Sequence, residues 1–155
     1  MRMMMVDEQA GYELKRAQHA LRLAMDAALH PLGLTTPQYA ALSVLADTPG
    51  LSSAALARRC FVTPQTMNVI VIQLETSGLV QRRPHPEHGR ILQTSLTTAG
   101  QQRVTVAYQV VRRIEEHMVA HFTMAERRQF VNWLQLCSQT LEADVPSGEG
   151  YEQPQ

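Results

Sequence analysis

The sequence of 155 residues predicts a mainly α-helical fold carrying one small β-hairpin. Three observations predict it. Apolar residues recur at three- and four-residue spacing over long proline-free stretches, the repeat of a helix with one covered face. Threonine stands directly before proline at Thr36-Pro37 and Thr63-Pro64, the order of a helix N-cap followed by a first-turn residue whose missing N–H costs nothing. Short runs flank a loop of two prolines and a glycine, Pro84-His85-Pro86-Glu87-His88-Gly89, as strands flank a hairpin turn.

Taken in order, Gly11 to His30 reads as a long first helix whose stripe is Leu14, Ala17, Leu21, Ala24/Met25 and Ala28, and His30-Pro31-Leu32-Gly33 stops it. Thr36-Pro37-Gln38 opens a second helix, with Thr36 as N-cap and Tyr39, Leu42, Val44/Leu45 and Ala46 facing inward. Thr48-Pro49-Gly50 ends it. Leu51-Ser52 caps a short third helix, Ser53 to Arg59. The next element is contested, because Val69-Ile70-Val71-Ile72 belongs by propensity in a buried strand. Pro64 settles it for a helix: proline cannot donate to a strand ladder but suits a first helical turn. Met67, Ile70, Val71 and Leu74 then follow at helical spacing, at a cost of a few tenths of a kcal/mol per branched residue.

Leu79 to Arg83 and Arg90 to Leu96 are the predicted strands, the second with Leu92, Thr94 and Leu96 alternating against Ile91, Gln93 and Ser95. Thr97-Thr98 begins a long helix to about Phe122, with Val104, Ala107, Val111, Ile114 and Met118 in register. Thr123-Met124-Ala125-Glu126 is a capping box that opens a last helix with the stripe Phe130, Leu134, Cys137 and Leu141. From Asp144 onward the chain reads as a frayed tail.

Composition narrows the function. With 45% apolar and 18% charged residues the body of the chain is not disordered. No apolar run approaches a bilayer's thickness, and Met1 to Val6 is too short for the core of a signal peptide, so a soluble cytoplasmic protein is expected, without a membrane partner. The cysteines, Cys60 and Cys137, make neither a disulfide framework nor a metal-ligand spacing. Net charge is zero, which argues against an indiscriminate polyanion binder. Between Thr48 and Gly100, however, Arg58, Arg59, Arg82, Arg83 and Arg90 face only Glu75 and Glu87, so a polyanion would dock on the middle of the chain.

Helix, helix, turn, helix and hairpin together make a winged helix-turn-helix, in which the final helix enters the major groove of DNA. Opposite its apolar face this helix presents Gln65, Asn68, Val69 and Ile72. Gln and Asn can bond adenine bidentately, and Val69 can touch a thymine methyl. Arg90, just past the turn, suits a narrow minor groove. The predicted DNA-contacting set is Ser53, Thr63, Gln65, Thr66, Asn68, Val69, Arg83 and Arg90. An enzyme is disfavoured, because no nucleophile, base and orienter share a motif and nothing resembles a cofactor loop; no cofactor is expected.

Two alternatives keep the fold and change the trigger. Cys60 follows Arg58-Arg59, which could activate it as a redox switch, although a small buried cysteine is the commoner case. Cys137 reads as core. His117 and His121, spaced i, i+4, could share a metal on one helix face but lack a third ligand there, and an exposed or dimer-facing pair is the plainer reading. A helical interaction module is the remaining class, and it would not need the hairpin or Arg90.

The order of elements, with Leu74-Glu75, Gly78-Leu79-Val80, Arg90 and the run Leu96 to Gly100 ("LTTAG"), resembles the MarR family of bacterial transcription regulators from about Glu8 to Glu142. The resemblance implies an N-terminal dimerisation helix in 1–34, the winged DNA-binding region in 35–98, C-terminal dimerisation helices in 99–143 and a flexible tail in 144–155. It implies a homodimeric repressor on a palindromic site, released by a small, often aromatic, effector bound between the two regions. His19, Leu23 and Tyr39 are the candidate effector residues. Dimerisation also fits the chain itself, since three long amphipathic helices are more than one small lobe can cover.

Overall fold

Four threonines and one serine start most of the helices in the structure, a computed structural model that describes residues 9–145. The helices are α1 (Ala10–Leu29), α2 (Thr36–Asp47), α3 (Ser53–Arg59), α4 (Pro64–Thr76), α5 (Thr98–Met118) and α6 (Met124–Asp144), with a 3-10 turn at His30–Leu32. The strands are β1 (Leu51–Ser52), β2 (Val80–Pro84) and β3 (Leu92–Leu96). Ser52, Thr63 and Thr123 accept N–H bonds at the starts of α3, α4 and α6, each satisfying one of the donors that a helix leaves orphaned. Thr123 and Glu126 close the expected capping box.

Helix α2 departs from expectation at its cap. Thr35, not Thr36, is the N-cap: its hydroxyl accepts from Gln38 N, and the Gln38 side chain accepts from Thr35 N. Thr36 Oγ1 donates instead to Asp26 Oδ1 on α1 at 2.6 Å, joined by Thr36 N at 3.2 Å. These bonds hold the Asp26 carboxyl below the usual carboxylate range. Tyr39, Leu42 and Leu45 are buried as expected, but Ala41 rather than Ala46 completes the inner face.

The hairpin is the larger part of a three-stranded antiparallel sheet with order β1-β3-β2. Leu51, read only as part of a cap, pairs with Thr94, and Ser52 pairs with Gln93. Strand β2 pairs in register from Val80↔Leu96 to Pro84↔Leu92. Thr94, wholly buried on the middle strand, has a hydroxyl with no hydrogen-bond partner among the described residues.

Two of the sequence's short motifs turn out to be one contact. Thr97 donates from its hydroxyl to Gly78 O at 2.6 Å and from its N–H to Leu79 O at 3.0 Å. Its hydroxyl also receives Gly100 N at 3.0 Å, so it caps α5. Gly100 lies so close to the backbone just before β2 that a Cβ there would sit 1.9 Å from Leu79 O. Only glycine fits this approach.

The chain divides into two compact units, residues 1–115 and 116–155. In the first, Leu29, Leu42, Leu45, Leu56, Met67, Val71 and Leu74 are essentially inaccessible and belong to one core with Val104, Ala107 and Val111 of α5. The stripe on α1 is only half realised: Leu21, Met25 and Ala28 are half-buried, while Leu14, Ala17 and Ala24 are exposed. Helix α5 ends at Met118, before the predicted Phe122, and Ala120 N and Phe122 N bond back to His117 O and Val119 O in a turn. His121 therefore lies beyond the helix, and the i, i+4 geometry proposed for His117 and His121 does not form. Among the described residues no group of three or more His, Cys, Asp or Glu side chains could hold a metal ion. In the second unit α6 buries no residue, and Cys137, expected in the core, is exposed. Phe122 and Phe130 meet edge to face with centroids 5.6 Å apart. No described helix is long and apolar enough to cross a membrane. The predicted tail, from residue 146 on, lies outside the described residues.

Candidate DNA-binding site

Helix α3 and helix α4 are joined by Cys60-Phe61-Val62, and the turn is tight enough to put Phe61 at φ 56°, the left-handed region that side chains with a Cβ rarely adopt. Cys60 N returns to Leu56 O and Val62 N to Ala57 O, fixing where α4 starts. The Phe61 ring is 91% exposed, and nothing in the sequence pattern marks it.

Helix α4 has two unlike faces. Met67, Ile70, Val71 and Leu74 are sealed against the core. The strand-like residues thus divide between the faces: Ile70 and Val71 are core, while Val69 is 54% and Ile72 45% exposed. Gln65, Thr66 and Asn68 are exposed beside them. The side chains of Gln65 and Asn68 make no hydrogen bond among the described residues, whereas Gln73 Oε1 accepts from Gln38 Nε2 at 3.1 Å. Thr63 is engaged: it caps α4 through Thr66 N and donates to Thr66 Oγ1 at 2.9 Å. Ser53 is half-buried as the first residue of α3, one position after the cap.

The basic field is narrower than the sequence suggested. Arg82 pairs with Glu75 at 2.6 Å, and this guanidinium holds the Glu75 carboxyl below its usual range. Arg59 bonds Asp47 at 3.1 Å and Thr48 Oγ1 at 2.5 Å, with the same effect on Asp47. Arg58, Arg83 and Arg90 are exposed and form no ion pair among the described residues; Arg83 reaches only Gln81 Oε1, at 3.3 Å. Arg90 lies in the turn that leads into β3, at the wing. Its tip is ordered by His85, whose Nδ1 accepts the N–H groups of Glu87 and His88.

Cys60 lacks the surroundings that would activate a thiol. Burial pushes its thiol up, and the nearby Arg59 only partly offsets this. A thiol held protonated is a weak nucleophile.

A cleft of about 350 Å³ lies between α2 and α5, lined by Tyr39, Ser43, Ala46, Gln101, Val104, Thr105 and Tyr108. The Ser43 hydroxyl is buried there without a hydrogen-bond partner among the described residues. Of the predicted effector residues Tyr39 lines this cleft; His19 and Leu23, exposed on α1, do not. Tyr108 and Ser43 were missed, though Tyr108 stands four residues after Val104 and so shares its side of α5.

A helix-turn-helix whose second helix shows amides unpartnered among the described residues, followed by a sheet with Arg83 and Arg90 exposed near its tip, has the arrangement of a winged DNA-binding protein. The MarR family profile matches residues 32–91. The HTH-type transcriptional repressor Rv2887 of Mycobacterium tuberculosis is 41% identical over 129 residues, spanning 83% of this chain and 93% of that protein. The crystal structure of Rv2887 in complex with DNA aligns with a TM-score of 0.70 at 38% identity, over 84% of this chain and 98% of that one. Its complex with salicylic acid aligns with a TM-score of 0.69 at 40% identity, over 84% and 97%. The chain belongs to the MarR family and is a DNA-binding transcription regulator.

Proposed function

We propose that this regulator is a cytoplasmic, non-enzymatic repressor that binds a palindromic operator as a homodimer and releases it when a small aromatic molecule binds. The observation that carries the reading is the open face of α4, where Gln65 and Asn68 are exposed with no side-chain hydrogen-bond partner among the described residues. Base edges in a major groove would supply those partners. Thr66 and Val69 extend that face. Ser53 and Thr63 at the helix starts and Arg83 and Arg90 on the wing are assigned to backbone and minor-groove contacts, which set register.

Exposed apolar residues on α1 and α6, among them Tyr12, Leu14, Trp133, Leu136 and Leu141, support the homodimer, with segments 1–34 and 99–143 as its interface and 35–98 as its DNA-binding region. Two copies would present two α4 helices to half-sites about one DNA turn apart, ~34 Å. The cleft at Tyr39 supports the effector. Its volume suits a single aromatic ring, and the unpartnered Ser43 hydroxyl offers a bond to a phenol or carboxylate. His19 and Leu23, exposed on α1, are assigned to effector contacts completed when the dimer forms. The effector acts by favouring a dimer whose recognition helices no longer match one turn of DNA.

The test is a gel shift of the full chain on the DNA upstream of its own gene and on a scrambled duplex, with and without salicylic acid. Retardation of the first duplex alone, reversed by the acid, is the expected result. Equal retardation of both duplexes overturns sequence specificity, and insensitivity to a wide panel of aromatic acids and phenols overturns the effector.

A further inference from the structure

The exposed side of α4 carries no cation. Its one ionisable side chain is Glu75, and that carboxylate is taken up by Arg82 at 2.6 Å. The helix therefore offers no charged donor fork to guanine O6 and N7, the commonest specific contact in protein–DNA complexes. It offers two amides, on Gln65 and Asn68, and two branched aliphatic side chains, Val69 and Ile72, three residues apart and so stacked on one side of the helix. Both aliphatics are about half exposed on a helix whose other side buries Met67 and Val71 completely. Alanine at either position would favour the helix more, so local stability does not account for their bulk.

These two chemistries converge on one kind of base pair. An amide matches adenine N6 and N7, and the thymine opposite presents the C5-methyl, the apolar group of the major-groove edge. Resting on the DNA-binding reading above, we infer that α4 reads A·T-rich half-sites through thymine methyl groups, with Val69 and Ile72 as the residues that touch them. The apolar side of α4 is continuous with Gln65 and Asn68, so the occupant of this surface is the major groove rather than a second copy of the chain. Specificity then comes from methyl contacts and amides, while the charge needed for affinity comes from the wing and from Arg58.

The full chain is first used to enrich binders from a library of randomised duplexes. The enriched duplex is then remade with deoxyuridine in place of thymidine, which deletes the methyl and leaves every base-pair hydrogen bond. Wild-type protein should lose about fourfold in affinity per methyl removed beneath α4, the worth of one buried methylene. The Val69→Ala/Ile72→Ala double variant should bind the two duplexes equally. Both residues are about half exposed and alanine favours a helix, so its circular dichroism melt should be no lower than the parent's. Wild-type binding that ignores the substitution overturns the inference, as does a loss that persists undiminished in the double variant, since DNA shape would then be the sensor. Enrichment of G·C-rich half-sites overturns it too, while leaving sequence-specific DNA binding intact. If no duplex is enriched, sequence-specific regulation itself fails, and this inference with it.

Discussion

Every helix from α1 to α5 buries at least one side chain to near inaccessibility, whereas α6 buries none. Leu42, Met67 and Leu56 are fully covered within their own chain; Val131, Trp133, Leu136 and Leu141 of α6 are between 50% and 65% exposed. Both regions show apolar residues at helical spacing in the sequence. They differ in whether one chain has enough partners to cover the apolar side. The winged region holds its own core and can keep α4 rigid against DNA. Helix α6 carries apolar surface that water penalises at roughly 25 cal/mol per Å², and a second copy is the cover that the proposed homodimer provides.

Core damage should separate the regions most sharply. Leu42→Ala removes a fully buried side chain and should cost about 2–5 kcal/mol of unfolding free energy in a denaturant titration, at every protein concentration. Leu136→Ala on α6 should instead make the melt more concentration-dependent, because its loss is felt in association. A core-like penalty for Leu136→Ala, the same at every concentration, would erase the distinction.

A gain is expected at Thr94. Its buried hydroxyl has no partner among the described residues, so the near-isosteric Thr94→Val should stabilise the winged region by about 1 kcal/mol. A loss of that size would mean that the hydroxyl is satisfied after all. At Phe61 the backbone is strained and the ring contributes little burial. Phe61→Gly relieves a left-handed conformation worth ~1–2 kcal/mol, against the ~0.5–1 kcal/mol entropy cost of glycine, so a net gain of ~0–1.5 kcal/mol is expected. If the variant melts higher yet binds DNA more weakly, the ring has a use on the DNA side.

The smallest effect should be electrostatic. Asp26 is half-buried and bonded to Thr36, and its carboxyl is depressed in the fold. A depressed carboxylate stabilises the folded state fully above its unfolded value of about 3.9, and the contribution is lost as pH falls through the lower folded value. Asp26→Asn should therefore melt below the parent at pH 7, and the gap should close on acidification past that window. A gap that widens on acidification would reverse the assignment.

Much of this fold was legible because its signals are local. Thr63-Pro64 specified α4 against its own strand propensity, since a cap and a first-turn proline act within one turn. Thr35 and Thr36 could not be told apart, because Asp26, ten residues upstream of Thr36, decides which hydroxyl caps. Strand β1 has two residues, too few to show a period; only its pairing with β3 makes it a strand. Gln65, Thr66 and Asn68 of α4 are exposed, as helical spacing suggested, beside the basic field. The charge of that field was overstated: Asp47 lies just outside the basic stretch and Glu75 stands seven residues before Arg82, so the ion pairs that remove Arg59 and Arg82 are products of the fold. Cys137 was misplaced because helical spacing reveals an apolar stripe but not what covers it.

Sedimentation equilibrium of the full chain at micromolar concentration, beside Leu134→Asp, tests the contrast between the two regions most directly. The substitution puts an unpaired charge into the apolar seam of α6. The parent should sediment as a dimer, and the variant as a monomer that keeps the helical circular dichroism of its winged region. A monomeric parent, or a variant that stays dimeric, would show that α6 is not the surface that joins two chains.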